Sequence, residues 1–128
     1  MDANMDFLNE AARKLSATPH QIDELVRGLT EEQLSWKPTA DIFSVRENVM
    51  HLRDIDVEGY AKRTQLILDE ERPTLPDLNG KKLARERNYN AQPVQRGLHD
   101  LRASRVLRVA VLQKCSPSDL ERKAQWKE

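Results

Sequence analysis

The feature that most constrains the fold is a helical repeat of apolar residues near the start of the chain. Apolar side chains recur at positions i, i+3, i+4 and i+7, first in Leu8, Ala11, Ala12 and Leu15, and again in the same phase in Ile22, Leu25, Val26 and Leu29. This spacing places the side chains on one face of an α-helix. Thr18 and Gln21 form a capping-box pattern around Pro19, which suits a first helical position. The segment therefore predicts two collinear helices or one kinked helix, with Gly28 as the stop.

Two further long helices are predicted from helix start and stop signals. Ser44 and Glu47 form a capping-box pattern, and the helix that they open ends before two prolines in the seventies. Pro93 opens a third helix. The three long helices are expected near residues 4–28, 45–70 and 93–114.

Shorter helical pieces are expected between and after the long helices. Capping-box patterns begin at Thr30 and Ser116, and a weak helical piece spans residues 81–87. The chain shows no alternating strand pattern and no low-complexity tract. The sequence therefore predicts an all-α fold, an up-down helical bundle.

Length and composition narrow the class of protein. The 128 residues fit one domain, predicted to cover residues 1–128. The longest purely apolar run, residues 109–112, is far too short to span a membrane, and no apolar run follows the acidic start, as a secretory signal would require. The single cysteine, Cys115, excludes an internal disulfide framework and is typical of a reducing compartment. We expect a cytoplasmic protein with no membrane partner.

The charge is neutral in total but divided between the two parts of the chain. Residues 1–79 carry a net charge of −7, and residues 80–128 carry +7. The basic part could contact nucleic acid, but no nucleic-acid motif accompanies it. The favoured interpretation is attraction between the two parts, within one chain or between chains, and nucleic acid is not the expected partner.

Three charged residues fall on the apolar faces of the predicted helices. Asp56 and Arg63 lie in the middle of the apolar face of the second long helix, and Arg105 lies in that of the third. An unpaired buried charge is costly. We expect a buried ion pair of Asp56 with Arg63 or Arg105, or, as the functional alternative, a polar pocket inside the bundle.

A group of motifs resembles the DinB/YfiT-like superfamily. The most specific is Phe43-Ser44-Val45-x-Glu47-x-x-x-His51-Leu52-x-Asp54-x-Asp56, where the family usually has an aromatic residue, Ser and a helix with His-Leu-x-Asp-x-Glu. Supporting pieces are Thr18-Pro19, Leu29-Thr30-x-Glu32-Gln33-Leu34, Leu83-Ala84-x-Glu86-Arg87-x-Tyr89-Asn90 and the segment from Leu98 to Arg105. The resemblance covers roughly residues 14 to 126.

The resemblance implies a four-helix bundle of a bacterial family, many of whose members bind a divalent metal through three histidines. Some members transfer small thiols, and others are hydrolases or isomerases. The first ligand falls on His51, whereas the other two come from a His-x-x-x-His pair on the fourth helix. This sequence has no such pair, and its fourth helix is expected to be missing or supplied by a partner chain.

The residues themselves, without the resemblance, place His51 at the edge of an apolar face, where histidines are usually structural. Glu47, Asp54 and Glu58 share the polar face beside His51 and could complete an oxygen-rich metal site, although a solvated acidic face is the expected arrangement. His20 and His99 are expected at the surface. Cys115 is expected to be a small core residue without a nucleophilic role.

Two functions of different classes remain open from the sequence. The leading hypothesis is a DinB-like bundle related to metal-dependent thiol transferases and hydrolases, with an incomplete metal site at His51 and at most a weakly bound Ni or Zn ion. Its substrate would be a small thiol or another small molecule. The alternative is a non-catalytic helical module for dimerisation or interaction, and a homodimer is expected because three amphipathic helices leave an apolar groove.

Overall fold

The first helix of the computed structural model, which describes residues 3–127, is continuous through its proline. Helix α1 runs over Ala3–Val26, and it buries Leu8, Ala12, Pro19 and Val26 along one face. The Thr18 hydroxyl donates to the carbonyl of Lys14 instead of capping a new helix (3.0 Å). Of the two predicted arrangements, the single helix is therefore found. Gly28 follows it with a φ of +86°, a left-handed conformation that glycine adopts without strain.

The second long helix is built from three consecutive pieces. Helix α3 covers Val45–Asp54, a π-helical turn covers Ile55–Tyr60, and helix α4 covers Ala61–Asp69. We call the whole, residues 45–69, the composite helix. It begins at the predicted capping box, where the Ser44 hydroxyl accepts from the Glu47 N–H and the Glu47 carboxylate accepts from the Ser44 N–H. In the π turn the N–H of Ala61 bonds to the carbonyl of Asp56, five residues back.

The third long helix, α6, packs between the other two. It covers Val94–Gln113 and contacts both α1 and the composite helix. Gly97 lets α6 approach α3 closely, because a Cβ atom there would lie within 3.0 Å of the Met50 sulfur. Three long helices within residues 3–127, close to the predicted bounds, confirm the all-α bundle prediction.

Short elements close the ends of the bundle. Helix α2 covers Glu31–Ser35, α5 covers Gly80–Glu86, and two 3-10 turns cover Tyr89–Ala91 and Pro117–Glu121. The sequence predicted no strands, yet two short ones pair in parallel. Strand β1, Thr74–Leu75, lies beside β2, Gln125–Trp126. Strands of two residues are too short to show an alternating pattern, so they could not be predicted from periodicity.

The main core lies where α3 and α6 meet the short elements. It contains Val26, Leu34, Val49, Met50, Ala84, Tyr89, Val94 and Leu98. Helix α3 is covered on two sides, by α6 and by the segment 80–92. Arg46 lies outside the predicted apolar face, yet it is buried against this segment and bonds to the Gln92 carbonyl. Glu47, also outside that face, is buried beside Lys37, whereas Val45, predicted within the face, is exposed. No helix within residues 3–127 combines the length and apolarity that a membrane span requires.

Candidate functional site

His51 lies on α3 and is held between an aromatic ring and a glycine. Its ring meets the ring of Phe43 edge-on, with centroids 5.7 Å apart. On another side it contacts the start of α5, where a Cβ atom on Gly80 would lie 2.7 Å from Cε1 and 2.9 Å from Nδ1 of the imidazole. The position of the ring is thus set by packing, since the imidazole of His51 makes no hydrogen bond or ion pair within residues 3–127.

The half-buried imidazole opens into a surface cavity of about 610 Å³, which we call the histidine cleft. Its lining includes Asp41, Asn48 and Asn79. Both amides have structural tasks: Asn48 donates to the Ser44 carbonyl, and the Asn79 side chain caps α5 by accepting from the Lys82 N–H. The charged or basic groups left for a ligand are the imidazole of His51, the exposed carboxylate of Asp41 and the exposed ammonium of Lys81, and only the first two can ligate a metal ion at neutral pH. Sequence reasoning missed Asp41, which stands in a loop without any periodic signal.

The histidine cleft does not by itself form a complete metal centre. Protein sites for zinc-like ions use three or four converging ligands. Across residues 3–127, no three side chains of His, Cys, Asp or Glu lie together in a way that could hold a metal ion. His51 is thus a single candidate ligand, and its role in metal binding remains a prediction.

The expected solvated acidic face beside His51 is wrong for Asp54. Asp54 is only 5% exposed. Its carboxylate accepts from the Tyr89 hydroxyl, from Arg53 Nε (2.8 Å) and from Arg87 Nη1 (2.8 Å). Burial raises the pKa of Asp54, but these hydrogen bonds outweigh it, so the pKa lies below its ordinary value. We call Asp54 and these three partners the Asp54 cluster.

The other two acidic residues of that face are also engaged away from the histidine. Glu58 forms an ion pair with Arg87, which it shares with Asp54. Glu47 is buried, accepts the Ser44 N–H and forms an ion pair with Lys37 Nζ (2.8 Å). Burial raises the pKa of Glu47, and the bonds to Lys37 and Ser44 lower it further than burial raises it. None of the three acids lines the histidine cleft. The oxygen-rich site that they could have formed with His51 is therefore absent in the described part of the chain.

The predicted buried ion pair is confirmed, with Arg105 as the partner of Asp56. Asp56 is 1% exposed, and its carboxylate accepts from Arg105 Nε and from the Ser104 hydroxyl. Arg105 also donates to the Leu15 carbonyl, which ties α6 to α1 (3.2 Å). Arg63 instead bonds to the Pro76 carbonyl (2.9 Å) and lies against the ring of Trp126 at 4.8 Å. Both carboxylate oxygens of Asp56 have donors, and no buried polar atom of the pair lacks a partner among the described residues, which is the pattern of a structural element.

The remaining candidate residues lie where the sequence placed them, with one difference. His20 and His99 are exposed. Cys115 is half-buried rather than a core residue, and its thiol donates weakly to the Val111 carbonyl. Burial raises the pKa of Cys115, and the negative charge of Asp119 adds to the effect. A thiol with a raised pKa is a poor nucleophile at neutral pH, in agreement with the expected lack of a nucleophilic role.

Comparison with known proteins places this bundle in a family. The family model of the DinB superfamily matches residues 14–128. The chain therefore belongs to the DinB superfamily, as the motif around His51 indicated.

Two relatives extend this assignment. The protein named "Putative metal-dependent hydrolase OB0782" from Oceanobacillus iheyensis is 28% identical over 116 residues, which are 91% of this chain and 66% of the relative. The fold resembles that of YfiT from Bacillus subtilis, described as "a probable metal-dependent hydrolase with an unusual four-helix bundle topology", with a TM-score of 0.85 and 20% identity over the same shares of the two chains. This chain spans just under two thirds of the length of either relative.

Proposed function

We propose that this protein is a DinB-superfamily bundle related to metal-dependent hydrolases, in which residues 3–127 contribute only part of a metal site. The observation that carries the proposal is the position of His51: its imidazole opens into a cleft in which Asp41 supplies the one other free ligand group. The names of the two similar proteins support a metal-dependent activity in the family.

A single imidazole and one exposed carboxylate should bind a divalent ion weakly. Affinity grows with the number of converging ligands, and each His or carboxylate must be deprotonated to bind. We propose Ni or Zn as the ion, in an exchangeable state, because imidazole suits both metals. No hydrolytic or thiol-transfer step is assigned to residues 3–127, since the ligand set that would hold a catalytic metal is incomplete there. A small thiol or another small molecule remains the proposed substrate class of the complete site.

The test is metal binding by protein purified without an affinity tag. We expect little metal on purification by elemental analysis. Zn and Ni titrations followed by calorimetry should show weak binding that is lost in His51→Ala and weakened in Asp41→Ala. His99→Ala is the matched control, because His99 is an exposed histidine on α6 and should leave binding unchanged.

A different result would restore a full metal centre. Near-stoichiometric metal that survives purification and disappears in His51→Ala would contradict the incomplete site and favour a metal-dependent hydrolase. Equal loss of binding in His51→Ala and His99→Ala would instead show that the ion does not bind in the histidine cleft.

An apolar groove favours the second candidate function, a dimerisation module. The composite helix and α6 form a surface groove of about 520 Å³. Val57 and Leu107 in this groove are 46% and 60% exposed, with Ala61 and Ala103 beside them. We propose that a second copy of the chain covers this groove by two-fold symmetry, since a two-fold axis pairs the same patch on both subunits.

Light scattering at micromolar concentration tests the dimer. We expect twice the chain mass for the wild type and a single chain mass for Leu107→Glu. Leu25→Glu is the control, because Leu25 is 77% exposed on α1 and does not line the groove. A monomeric wild type would exclude the homodimer without affecting the proposed metal site.

Nucleic-acid binding is not proposed for the basic part of the chain. Arg87 pairs with Asp54 and Glu58, and Arg105 pairs with Asp56, so basic residues of one part neutralise acidic residues of the other. These contacts support attraction between the two parts within one chain. Salt-dependent binding to duplex DNA would contradict this interpretation.

A further inference from the structure

The three long helices enclose a second cavity, which shares no lining residue with the histidine cleft. It has a volume of about 520 Å³, within the range of small-molecule sites. Lys14 and Leu15 line it from α1, Tyr60 and Thr64 from the composite helix, and Arg108 and Leu112 from α6. We call it the three-helix cavity.

Arg108 is a half-buried side chain of this cavity whose guanidinium lacks a partner among the described residues. Its Nε atom is fully buried, and within residues 3–127 it has no hydrogen-bond acceptor. Arg108 also takes part in no ion pair with the described residues. Buried polar groups in proteins are nearly always hydrogen-bonded, because a buried donor without an acceptor destabilises the fold. The two Nη groups of the same guanidinium also make no hydrogen bond to the described residues, and they remain for an acceptor from outside the chain.

The charge in the cavity wall favours an anion as that acceptor. Asp56 and Arg105 also line the cavity, but they neutralise each other in their ion pair. Positive charge remains on Arg108 and on Lys14, whose side chain is 71% exposed and whose Nζ lies 4.0 Å from the Glu10 carboxylate. A guanidinium binds carboxylates well, because its planar donors match the two carboxylate oxygens.

The remaining lining favours an apolar body next to the anionic group. Leu15 and Leu112 are half-buried, and the ring of Tyr60 is 45% exposed. The hydroxyls of Tyr60 and Thr64 make no hydrogen bond to the described residues, and so they can serve a ligand. A mainly apolar cavity with a few converging polar groups is typical of a small-molecule site.

We propose that the three-helix cavity binds a small amphiphilic carboxylate. The carboxylate group accepts from Arg108, and the apolar body lies against Leu15, Leu112 and the Tyr60 ring. This binding does not depend on the proposed metal site at His51.

Calorimetric titration with octanoate in buffer containing EDTA tests the proposal, because EDTA removes any contribution of a metal ion. We expect saturable binding of octanoate, and a dissociation constant about tenfold higher for octanol and for inorganic phosphate. Arg108→Gln should weaken octanoate binding about tenfold, and Arg108→Lys should weaken it less. Arg102→Gln is the matched control, since Arg102 is exposed on the same helix and should change nothing.

Arg108 lines both the three-helix cavity and the groove between the composite helix and α6, so the Arg108 variants do not show which of the two binds octanoate. Two variants that each fill one of these spaces distinguish between them. Thr64→Leu fills the three-helix cavity and should weaken octanoate binding, whereas Ala61→Leu fills the other groove and should not. No binding of octanoate, equal binding of octanol, tighter binding of phosphate, or a loss confined to Ala61→Leu would each overturn the proposal. A circular dichroism melt of every variant separates loss of binding from loss of folding.

Discussion

The carboxylates of the bundle interior and the histidine cleft lie on the same composite helix, yet they differ in how completely their polar groups are paired. Asp54 and Asp56 are both buried, and each accepts at least two hydrogen bonds from neighbouring elements. His51, one turn before Asp54, is half-buried and contacts carbon atoms rather than hydrogen-bond partners within residues 3–127.

This difference in pairing indicates which side chains of the molecule can bind a ligand. A buried charge with all its partners stabilises one arrangement of helices and has no capacity left for a ligand. A polar group that is positioned by packing alone keeps its hydrogen-bonding capacity free. By this criterion Asp54 and Asp56 are structural, whereas His51 and Arg108 are available for ligands.

The largest expected effect comes from breaking the interior pairs. Asp56→Ala leaves Arg105 buried without its carboxylate, and the free energy of unfolding should fall by about 3–5 kcal/mol. Asp54→Ala should cost about as much, although the sequence placed Asp54 on a solvated face. Urea unfolding measures both. Asp69→Ala is the control, since Asp69 is exposed and bonds to Gln65 on the same helix, and it should change stability little.

If Asp54→Ala lowered the free energy of unfolding as little as Asp69→Ala does, Asp54 would be solvated, as the helical projection predicted. That result would contradict the contrast between the buried carboxylates and the histidine cleft. The free energy of unfolding measured at acidic pH gives an independent check. The folded-state pKa of Asp54 lies below the ordinary value of 3.8, so its stabilising contribution is present above about pH 4 and is lost as the pH falls further. Asp54→Asn should therefore lose less stability than the wild type below pH 4.

A smaller effect is expected from the hydroxyl of Tyr89. Tyr89→Phe removes the hydrogen bond to Asp54, which should cost about 2 kcal/mol at neutral pH. Burial raises the pKa of Tyr89 above its ordinary value of 10.0, and the bond to Asp54 raises it further. Because the folded state keeps this proton longer than the unfolded chain does, its contribution is complete below about pH 10 and is lost as the pH rises.

The free energy of unfolding measured at alkaline pH distinguishes the contribution of Tyr89 from that of Tyr60. As the pH rises above about 10, the wild type should lose stability relative to Tyr89→Phe, so the difference between their free energies of unfolding should narrow. Tyr60→Phe, at an exposed tyrosine, should keep the wild-type alkaline slope. An unchanged gap across this pH range would mean that Tyr89 is not buried against Asp54.

The smallest effect on stability is expected in the histidine cleft. Gly80→Ala places a Cβ atom against the His51 ring, which must turn away. Since the ring faces an open cavity, the free energy of unfolding should change by about 1 kcal/mol or less. The NMR signals of the His51 ring should move in Gly80→Ala and stay in place in Arg85→Ala, since Arg85 is exposed on the same helix and does not line the histidine cleft. A loss as large as that in Asp56→Ala would show that the cleft is packed like the core.

The sequence alone determined the helices and the identity of the chemically unusual residues. Apolar spacing and capping signals set the three long helices, because these features depend on neighbours within a few residues along the chain. Helical projection also found Asp56, Arg63 and Arg105 on apolar faces, and the cost of burying a lone charge predicted that Asp56 pairs with one of the two arginines.

Only the tertiary structure decided which polar residues are buried by a second neighbour. Asp54 and Glu47 were expected to be solvated because one helix projected in isolation has one apolar face. In the structure the segment 80–92 covers Asp54 through Tyr89, and Glu47 is buried beside Lys37 of the loop before α3. The choice of Arg105 over Arg63, the π turn and the pairing of β1 with β2 likewise depend on contacts between distant parts of the chain. Local sequence periodicity records burial by one partner, and it carries no information about a second element that packs on the other face.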